Sequence, residues 1–593
     1  MALCAIFAIA GAAVLGGLLY RTVIDSQSRQ ESAQSQYTRS SVDVAERGTI
    51  YDRNGEVLAS SVESYLINVN PSAIGYSDST QQGDAATAVA KLLYEYLGQD
   101  ASKTQDDYYE MVTRQGTSYV VVQRRTDKDV GDQLKAALDE AGLVGVYFTS
   151  DSTRVYPNGD TGSQVVGTVG LKMLDSQGNV VEDEDYDKYD SLTESYRGTS
   201  GLELQYDSLL AGTDGVISRE KGKTGVPIAG GSIVLNKATD GDDIVTSIDI
   251  KLQAKAESSL KKACKKYESE GGSVTVMDAS TGEIYATASF SKDSSAKSGY
   301  SLDTGKLWGV SDVYEPGSTF KSITAASVLA NSKVTRSTSF TVPGSLKVYN
   351  STVTDSHDHD TENLTLQQII AQSSNIGTVL ASRKVELSDL SKTYSKFGFG
   401  TSTGVDFPGE SAGILADSSE WNGVQAANVT FGQGVSTTAM QIVRAYGALE
   451  QRGTMRTPHF LVDLPNDSDK AAEYKQEFSK KSRAAKKTTC DEVTKMLRSV
   501  VTDGTGTGAA IKGYKVVGKT GTAEIASSSG GYLDEQYIYS FCGWLDDTNS
   551  DLVCLVTLDR ATGSEGAGDM CGGVFADIMS FAIDRYQITS NSD

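Results

Sequence analysis

Three short polar motifs stand in order along the second half of this 593-residue chain: Ser318-x-x-Lys321, Ser373-x-Asn375 and Lys519-Thr520-Gly521. The first opens an apolar helical stretch (STFKSITAASVLA), and the second lies between the helical stretches Leu366–Ala371 and one starting near Ile376. The third ends a β-prone run, Tyr514–Val517. A fold that uses them together must return a late strand to the side of an early helix. The hydrophobic periodicity agrees. Strand patterns occur at Ser273–Asp278 and Glu283–Ala288 and resume at 514–518, 538–545 and 552–558, while helical patterns cover Lys251–Tyr267, much of 318–450 and the segment near Gly572–Tyr586. Strands at both ends with helices between them predict an α+β domain whose edge and centre strands come from distant sequence.

Ser-x-x-Lys alone is weak, for it starts at Ser218, Ser258, Ser259, Ser289, Ser294 and Ser318. Only Ser318 follows Pro-Gly and opens an apolar helix. A helix start points unpaired N–H groups and a positive dipole end at the serine oxygen, and a lysine three residues on shares its face. A hydroxyl becomes a nucleophile when a neighbouring base takes its proton, and a desolvated lysine can do so near neutral pH. Lys-Thr-Gly occurs at Lys223–Gly225, read as surface loop, and at Lys519–Gly521. A strand edge at the second would offer N–H groups, a lysine and the hydroxyls of Thr520 and Thr522 to an anionic substrate. The same stretch, Gly513 to Thr520, fits the phosphate-binding pattern G-x-x-x-x-G-K-[ST]. That pattern needs a flexible loop and a following helix; here the residues between the glycines are β-prone and no helical period follows, so nucleotide binding is set aside.

Composition narrows the rest. Apolar residues at 39% and charged residues at 22% make a globular chain, long enough for two or more domains. A formal net charge of −23 repels phosphate backbones and argues against a nucleic-acid partner. Six cysteines and no C-x-x-C pair leave out a disulfide scaffold and a zinc site. Cys542 and Cys554 flank a turn near Thr548, as a cross-strand disulfide or as two buried thiols. Asp355-Ser-His357-Asp-His359-Asp360 holds two histidines and carboxylates, but histidines at i,i+2 in a polar loop are ordinarily solvated; no metal and no cofactor is expected.

Residues Ala2 to Tyr20 form an uncharged run just long enough to cross a bilayer as a helix. A cleaved signal peptide would have a basic leader and a shorter apolar segment, so residues 1–23 read as a retained single-pass anchor with the remainder outside the cytoplasm. The first basic side chain, Arg21, follows the run, so charge does not orient it. A polar Ser/Gln-rich linker follows. Asn54-Gly55 predicts a type I′ hairpin between Thr49–Tyr51 and Val57–Ala59, and the acidic run Glu182–Asp190 reads as a solvated loop. The composition turns apolar and periodic from 240 onward, so the domains expected are 24–239 and 240–593.

In order and spacing the three motifs resemble those of the penicillin-recognising serine enzymes. The chain as a whole resembles the class B penicillin-binding proteins, membrane-anchored peptidoglycan D,D-transpeptidases. Tyr314-Glu-Pro-Gly-Ser-Thr-Phe-Lys321, Phe431-Gly-Gln-Gly434 and Gly518-Lys-Thr-Gly-Thr522 look like that class's catalytic stretches. Arg47-Gly48, Asp52-Arg53-Asn54-Gly55, Gly198-Thr-Ser-Gly-Leu-Glu203 and Tyr206-Asp207 are similar to its pedestal motifs, whose charges suit structural ion pairs. The resemblance implies an N-terminal pedestal domain followed by a penicillin-binding domain built on an antiparallel sheet flanked by helices. No glycosyltransferase signature precedes the triple, which separates the chain from bifunctional class A enzymes. The compact N-terminal region favours the septal type.

The resemblance also implies the roles. Lys321 takes the Ser318 proton as Ser318 attacks the penultimate D-Ala carbonyl of a stem peptide, and the N–H groups of Ser318 and Thr522 hold the oxyanion. Ser373 relays the proton to the departing amine, and Asn375 orients Lys321 and the substrate amide. Lys519, Thr520, Gly521 and Thr522 form the carboxylate end, with Lys519 taken as a charge at an exposed rim. β-Lactams would stall the enzyme as the acyl adduct, and a SEDS-type glycosyltransferase in the membrane is the implied partner. A β-lactam-hydrolysing or sensing protein and a catalytically silent cell-wall scaffold are the alternatives. Against hydrolysis, none of Asp406, Glu410, Asp417, Glu420 and Glu450 lies in a Glu-x-x-Leu-Asn segment that could place a water-activating base.

Overall fold

The computed structural model describes residues 11–12, 14–17, 38–78, 83–98, 103–182, 193–221, 227–302, 306–527 and 530–591. The expected anchor lies outside these apart from 11–12 and 14–17, which are helical, and no helix among the described residues is long and apolar enough to cross a membrane. Lys223–Gly225 and nearly all of the acidic run 182–190 also lie outside the described residues.

The C-terminal half is built on a six-stranded antiparallel sheet in the order Tyr300–Leu302, Ile284–Lys292, Gly271–Asp278, Leu552–Asp559, Tyr532–Asp546, Lys515–Ala526. Early and late strands meet at its centre, as the periodicity predicts. Strand Leu552–Asp559 is apolar along nearly its whole length because both faces are covered. Val553 and Leu555 join one core cluster, while Leu552, Cys554, Val556 and Leu558 join the other. Helices Ile250–Lys266 and Ala567–Tyr586 cover the second face; Lys321–Asn331 and Ala439–Glu450 belong to the first. Asp249 caps the N-terminus of the Ile250 helix by accepting the N–H groups of Lys251 and Leu252, and pairs with Arg585 at 2.8 Å, so the first and last helices share one carboxylate.

Cys542 stands opposite Leu555, and Cys554 opposite Gly543. The two thiols therefore point to opposite faces of the sheet and cannot bridge. Both are buried and free, as are Cys264, Cys490 and Cys571.

The N-terminal half centres on the long strand Val57–Val69, paired with Ile50–Tyr51, Val120–Asp127 and Val146–Val155. The predicted hairpin pairs Ile50 with Ala59 and Tyr51 with Val57, but its turn is not type I′: Gly55 has φ +84°, whereas Asn54 is not in the left-handed region. Asp52 explains the difference, for its carboxylate accepts the N–H groups of Asn54 at 2.7 Å and Glu56 at 2.9 Å and so builds the loop itself.

The pedestal charges form ion pairs. Glu203, fully buried, accepts from Arg47 and Arg154, each at 2.7 Å, and Arg47 also reaches Asp207 at 2.6 Å. Breaking such a buried set by removing one partner typically costs about 3–5 kcal/mol. The two halves are interlocked: strand Leu461–Asp463 pairs with Ile244–Thr246, which continues the pedestal sheet through Ile50–Tyr51. Asp406 accepts from Tyr206 Oη and from the N–H groups of Phe460 and Leu461.

Candidate active site

The site forms where the margin of the large sheet meets the start of helix Lys321–Asn331. Ser318 does not open the α-helix. It lies in a single 3₁₀ turn, Gly317–Phe320, and the α-helix begins at Lys321. Two glycines let this turn touch its neighbours. Gly317 has φ +53°, and a Cβ there would lie 2.8 Å from Thr522 O and 2.9 Å from Ala523 Cβ. Gly432, at φ +85°, would bring a Cβ within 2.1 Å of Gly317 O, and its own carbonyl accepts the Gly317 N–H at 3.0 Å. The Phe431–Gly434 and Lys519–Thr522 segments thus clasp the serine turn from two sides. Behind it, Tyr446 Oη donates to Thr319 O and shares a hydrogen bond with Ser322 Oγ, each at 2.8 Å.

Helix Leu366–Gln372 ends at Ser373, which adopts the left-handed conformation at φ +61°. A non-glycine residue there is held by its surroundings, and such strain gathers at functional sites. The consequence is that both Ser373 O and Ser373 Oγ face Lys321. Lys321 Nζ reaches Ser373 O at 2.5 Å, Asn375 Oδ1 at 2.6 Å and Ser373 Oγ at 3.3 Å. Two of these partners only accept. A neutral amine has two N–H groups to give them and keeps its lone pair for a hydroxyl. Burial favours that neutral form: Lys321 is 0% exposed and its ammonium is pushed down to about 7 by loss of hydration, partly opposed by the charge of Asp355.

Lys519 is not at an exposed rim. It is also 0% exposed, and its Nζ donates to Ser373 Oγ at 2.9 Å, Thr520 O at 3.0 Å and Thr520 Oγ1 at 3.2 Å. Burial, reinforced by the neighbouring charge of Lys321, holds its pKa well below that of a free lysine. The error in the sequence reading has a simple cause: a lysine on a strand margin looks solvated until the segments that cover it are known. Ser373 Oγ thus lies between two buried amines. Gly521 is required by packing, since a Cβ would meet Ser540 Oγ at 2.2 Å and Thr319 Cγ2 at 3.0 Å. Thr522 is exposed on the same strand. The strand runs unbroken from Lys515 to Ala526, with no loop or helix to cradle a nucleotide phosphate.

Asp355, noted in the sequence only as a candidate ligand beside the histidines, has a structural task. It accepts from Ser374 Oγ at 2.6 Å and the Ile376 N–H at 3.0 Å, and lies 3.2 Å from His359 Nε2. Asn375 Nδ2 donates to Thr354 O at 2.9 Å. The 354–355 segment therefore fixes the Ser373–Asn375 turn. Nothing in the spacing of these residues signalled it. Four of the five acidic residues considered as water-activating bases are bonded elsewhere, and the fifth is at the surface. Asp406 ties the two halves together, Glu410 accepts from Thr403, Asp417 caps Ser419, Glu450 accepts from Gln451, and Glu420 is exposed before Trp421.

Comparison with known proteins agrees with this geometry. Residues 272–580 match the penicillin binding protein transpeptidase domain, and residues 42–246 match the penicillin-binding protein dimerisation domain. Penicillin-binding protein PbpB of Mycobacterium tuberculosis is 28% identical over 597 residues, spanning 97% of this chain and 83% of that protein. Stage V sporulation protein D of Bacillus subtilis is 30% identical over 541 residues, spanning 90% and 77%. The crystal structure of penicillin binding protein 3 from Mycobacterium tuberculosis complexed with ampicillin matches with a TM-score of 0.64 and 25% identity, over 93% of this chain and 98% of that one. With both domains in this order, the chain belongs to the class B penicillin-binding proteins.

Proposed function

We propose that the protein is a peptidoglycan D,D-transpeptidase that works through a serine acyl-enzyme, held at the membrane by residues 1–23 with its catalytic domain outside the cytoplasm. The observation that carries the reading is the buried amine of Lys321, depressed to about 7 and bonded to Ser373 and Asn375 one helical turn after Ser318. A serine nucleophile needs such a base. Ser318 Oγ attacks the penultimate D-Ala carbonyl while Lys321 takes its proton, and the Ser318 and Thr522 N–H groups hold the oxyanion. Collapse breaks the peptide bond. The departing D-Ala amine takes the proton of Ser373 Oγ, which Lys321 replaces across 3.3 Å. An amine of a second stem peptide then attacks the ester, its proton returns along the same relay, and Ser318 is freed with the cross-link formed. Lys519, protonated when an anionic partner arrives, would attract the terminal carboxylate to the Lys519–Thr522 strand, where Thr522 is exposed.

β-Lactams, which relatives bind, would enter the same path and stop at the acyl stage, because Asp406, Glu410, Asp417 and Glu450, among the carboxylates that could activate water, are bonded elsewhere. The test is labelling with a fluorescent penicillin and timing the loss of label. One label per chain, lost slowly, with a single burst of nitrocefin hydrolysis at neutral pH, is the expected result. Sustained turnover of many per second would make the protein a β-lactamase, and no labelling at all would leave a silent scaffold.

The apolar run 2–20 supports an anchor, and membership of the class B penicillin-binding proteins supports a SEDS-type glycosyltransferase partner in the membrane. A chain starting near Ser26 should stay soluble and label normally, yet fail to complement a deletion strain. Full complementation by it would remove the case for a membrane-bound role.

A further inference from the structure

The hydroxyl of Thr520 does not end at Lys519. Thr505 Oγ1 lies 2.6 Å from Thr520 Oγ1, although Thr505 belongs to the loop Gly504–Gly508, outside every motif of the site. The loop is fixed against the catalytic elements at backbone level. The Thr505 N–H donates to Ala371 O at 3.1 Å, two residues before Ser373. A Cβ on Gly504 would lie 2.2 Å from the same Ala371 O, and one on Gly568 would lie 2.1 Å from Thr505 O. Thr505 is thus pinned between the helix that ends at Ser373 and the last helix of the chain. Its side chain reaches the Lys519–Thr520 strand, so it touches both arms of the site.

Lys519, Thr520 and Thr505 form a continuous chain of hydrogen bonds. Lys519 Nζ donates to Thr520 Oγ1. Thr520, 5% exposed, has one proton of its own, and its neighbour at 2.6 Å is Thr505 Oγ1. Either hydroxyl can donate to the other; in the arrangement where Thr520 donates, the Thr505 proton is the free end of a chain that starts on a lysine. Thr505 is exposed, whereas Thr520 and Lys519 are buried. Hydrogen bonds in series polarise one another, so a terminal O–H of this kind is a stronger donor than an isolated threonine.

We propose that Thr505 is a substrate-binding residue whose hydroxyl donates to the carboxylate of the donor substrate: the terminal carboxylate of a stem peptide, or the ring carboxylate of a penicillin. The proposal rests on the transpeptidase reading. It brings the Thr505 hydroxyl to the anionic end of the site beside that of Thr522 and gives the glycine-rich loop 504–508 a task. Thr520 serves chiefly as the link between Lys519 and Thr505, and the exposed hydroxyls of Thr505 and Thr522 meet the ligand. A hydrogen bond to a charged group is worth more than one between neutral groups, so its loss should show in binding.

The experiment measures acylation of the full chain by benzylpenicillin and by benzylpenicillin methyl ester over a range of concentrations, giving the dissociation constant Ks and the saturating rate separately. Thr505→Val is expected to raise Ks for benzylpenicillin about tenfold, with the saturating rate within about twofold of wild type. Ks for the ester, which has no carboxylate, should not move. Thr505→Ser should return Ks close to the wild-type value, and Thr505→Ala repeats the loss with a smaller side chain should the valine protein fold poorly. Unchanged Ks in both hydroxyl-free variants overturns the proposal. So does an equal rise for penicillin and ester, or a loss confined to the saturating rate, either of which would make Thr505 a packing or positioning residue. Failure of the wild-type chain to acylate at all would instead strike the transpeptidase reading, and is seen before any variant is compared.

Discussion

Ser318→Ala is expected to abolish covalent penicillin labelling while leaving the unfolding transition where it is in the wild type. The change removes one oxygen from a 3₁₀ turn whose shape is fixed by other groups: Gly317 against Thr522 and Gly432, Thr319 bonded to Tyr446, and Phe320 buried against Tyr394 and Phe399. The other Ser-x-x-Lys serines should be dispensable for labelling, and their positions say why. Ser218 and Ser289 are buried in strands, with Ser289 accepting the Trp308 N–H; Ser259 donates to Asp577; Ser258 and Ser294 are exposed. A labelled Ser318→Ala protein would move the nucleophile elsewhere, and Ser373, between two buried amines, would be examined next.

The second large effect belongs to Lys321. Lys321→Ala should lower the saturating acylation rate by about 10²–10⁴, the usual cost of losing a general base. The wild-type rate should rise with pH through about 7 and level off above it, since the amine accepts a proton only when neutral and burial holds its pKa there. In Lys321→Ala that rising limb should vanish. A variant that keeps both its rate and the limb near 7 would transfer the base role to another group. Lys519→Ala is expected to weaken binding and slow acylation together, since Lys519 contacts Ser373 as well as Thr520. An exposed charge would have affected binding alone.

Much of the site was legible because its motifs are local. Ser318 and Lys321, Ser373 and Asn375, and Lys519 through Thr522 each sit on one turn or one strand, so short-range spacing reports their relation. The alternation of strands at 273–288 and 514–558 likewise carried the sheet. What spacing cannot report is which distant segments close over a side chain. The burial of Lys519, the hold of Asp355 on Ser374 and Ile376, the support of Tyr446 for the serine turn and the reach of Thr505 to Thr520 all join residues from separate elements. The Asn54-Gly55 turn failed for a local reason: Asp52, two residues earlier, offered the backbone a stronger acceptor than a type I′ turn supplies. Leu461–Asp463 joined the pedestal sheet although it lies far along the catalytic half.

The five described cysteines all lie inside the packed core, and burial raises each thiol's pKa, so little reactive thiolate forms at neutral pH. Thiol–disulfide exchange needs a thiolate and an approach path, and these five offer neither. The folded domains are therefore indifferent to redox poise. They owe no stability to an oxidising compartment, need no disulfide-forming catalyst on the way to the native state, and expose none of these sulfurs to glutathione or peroxide once there.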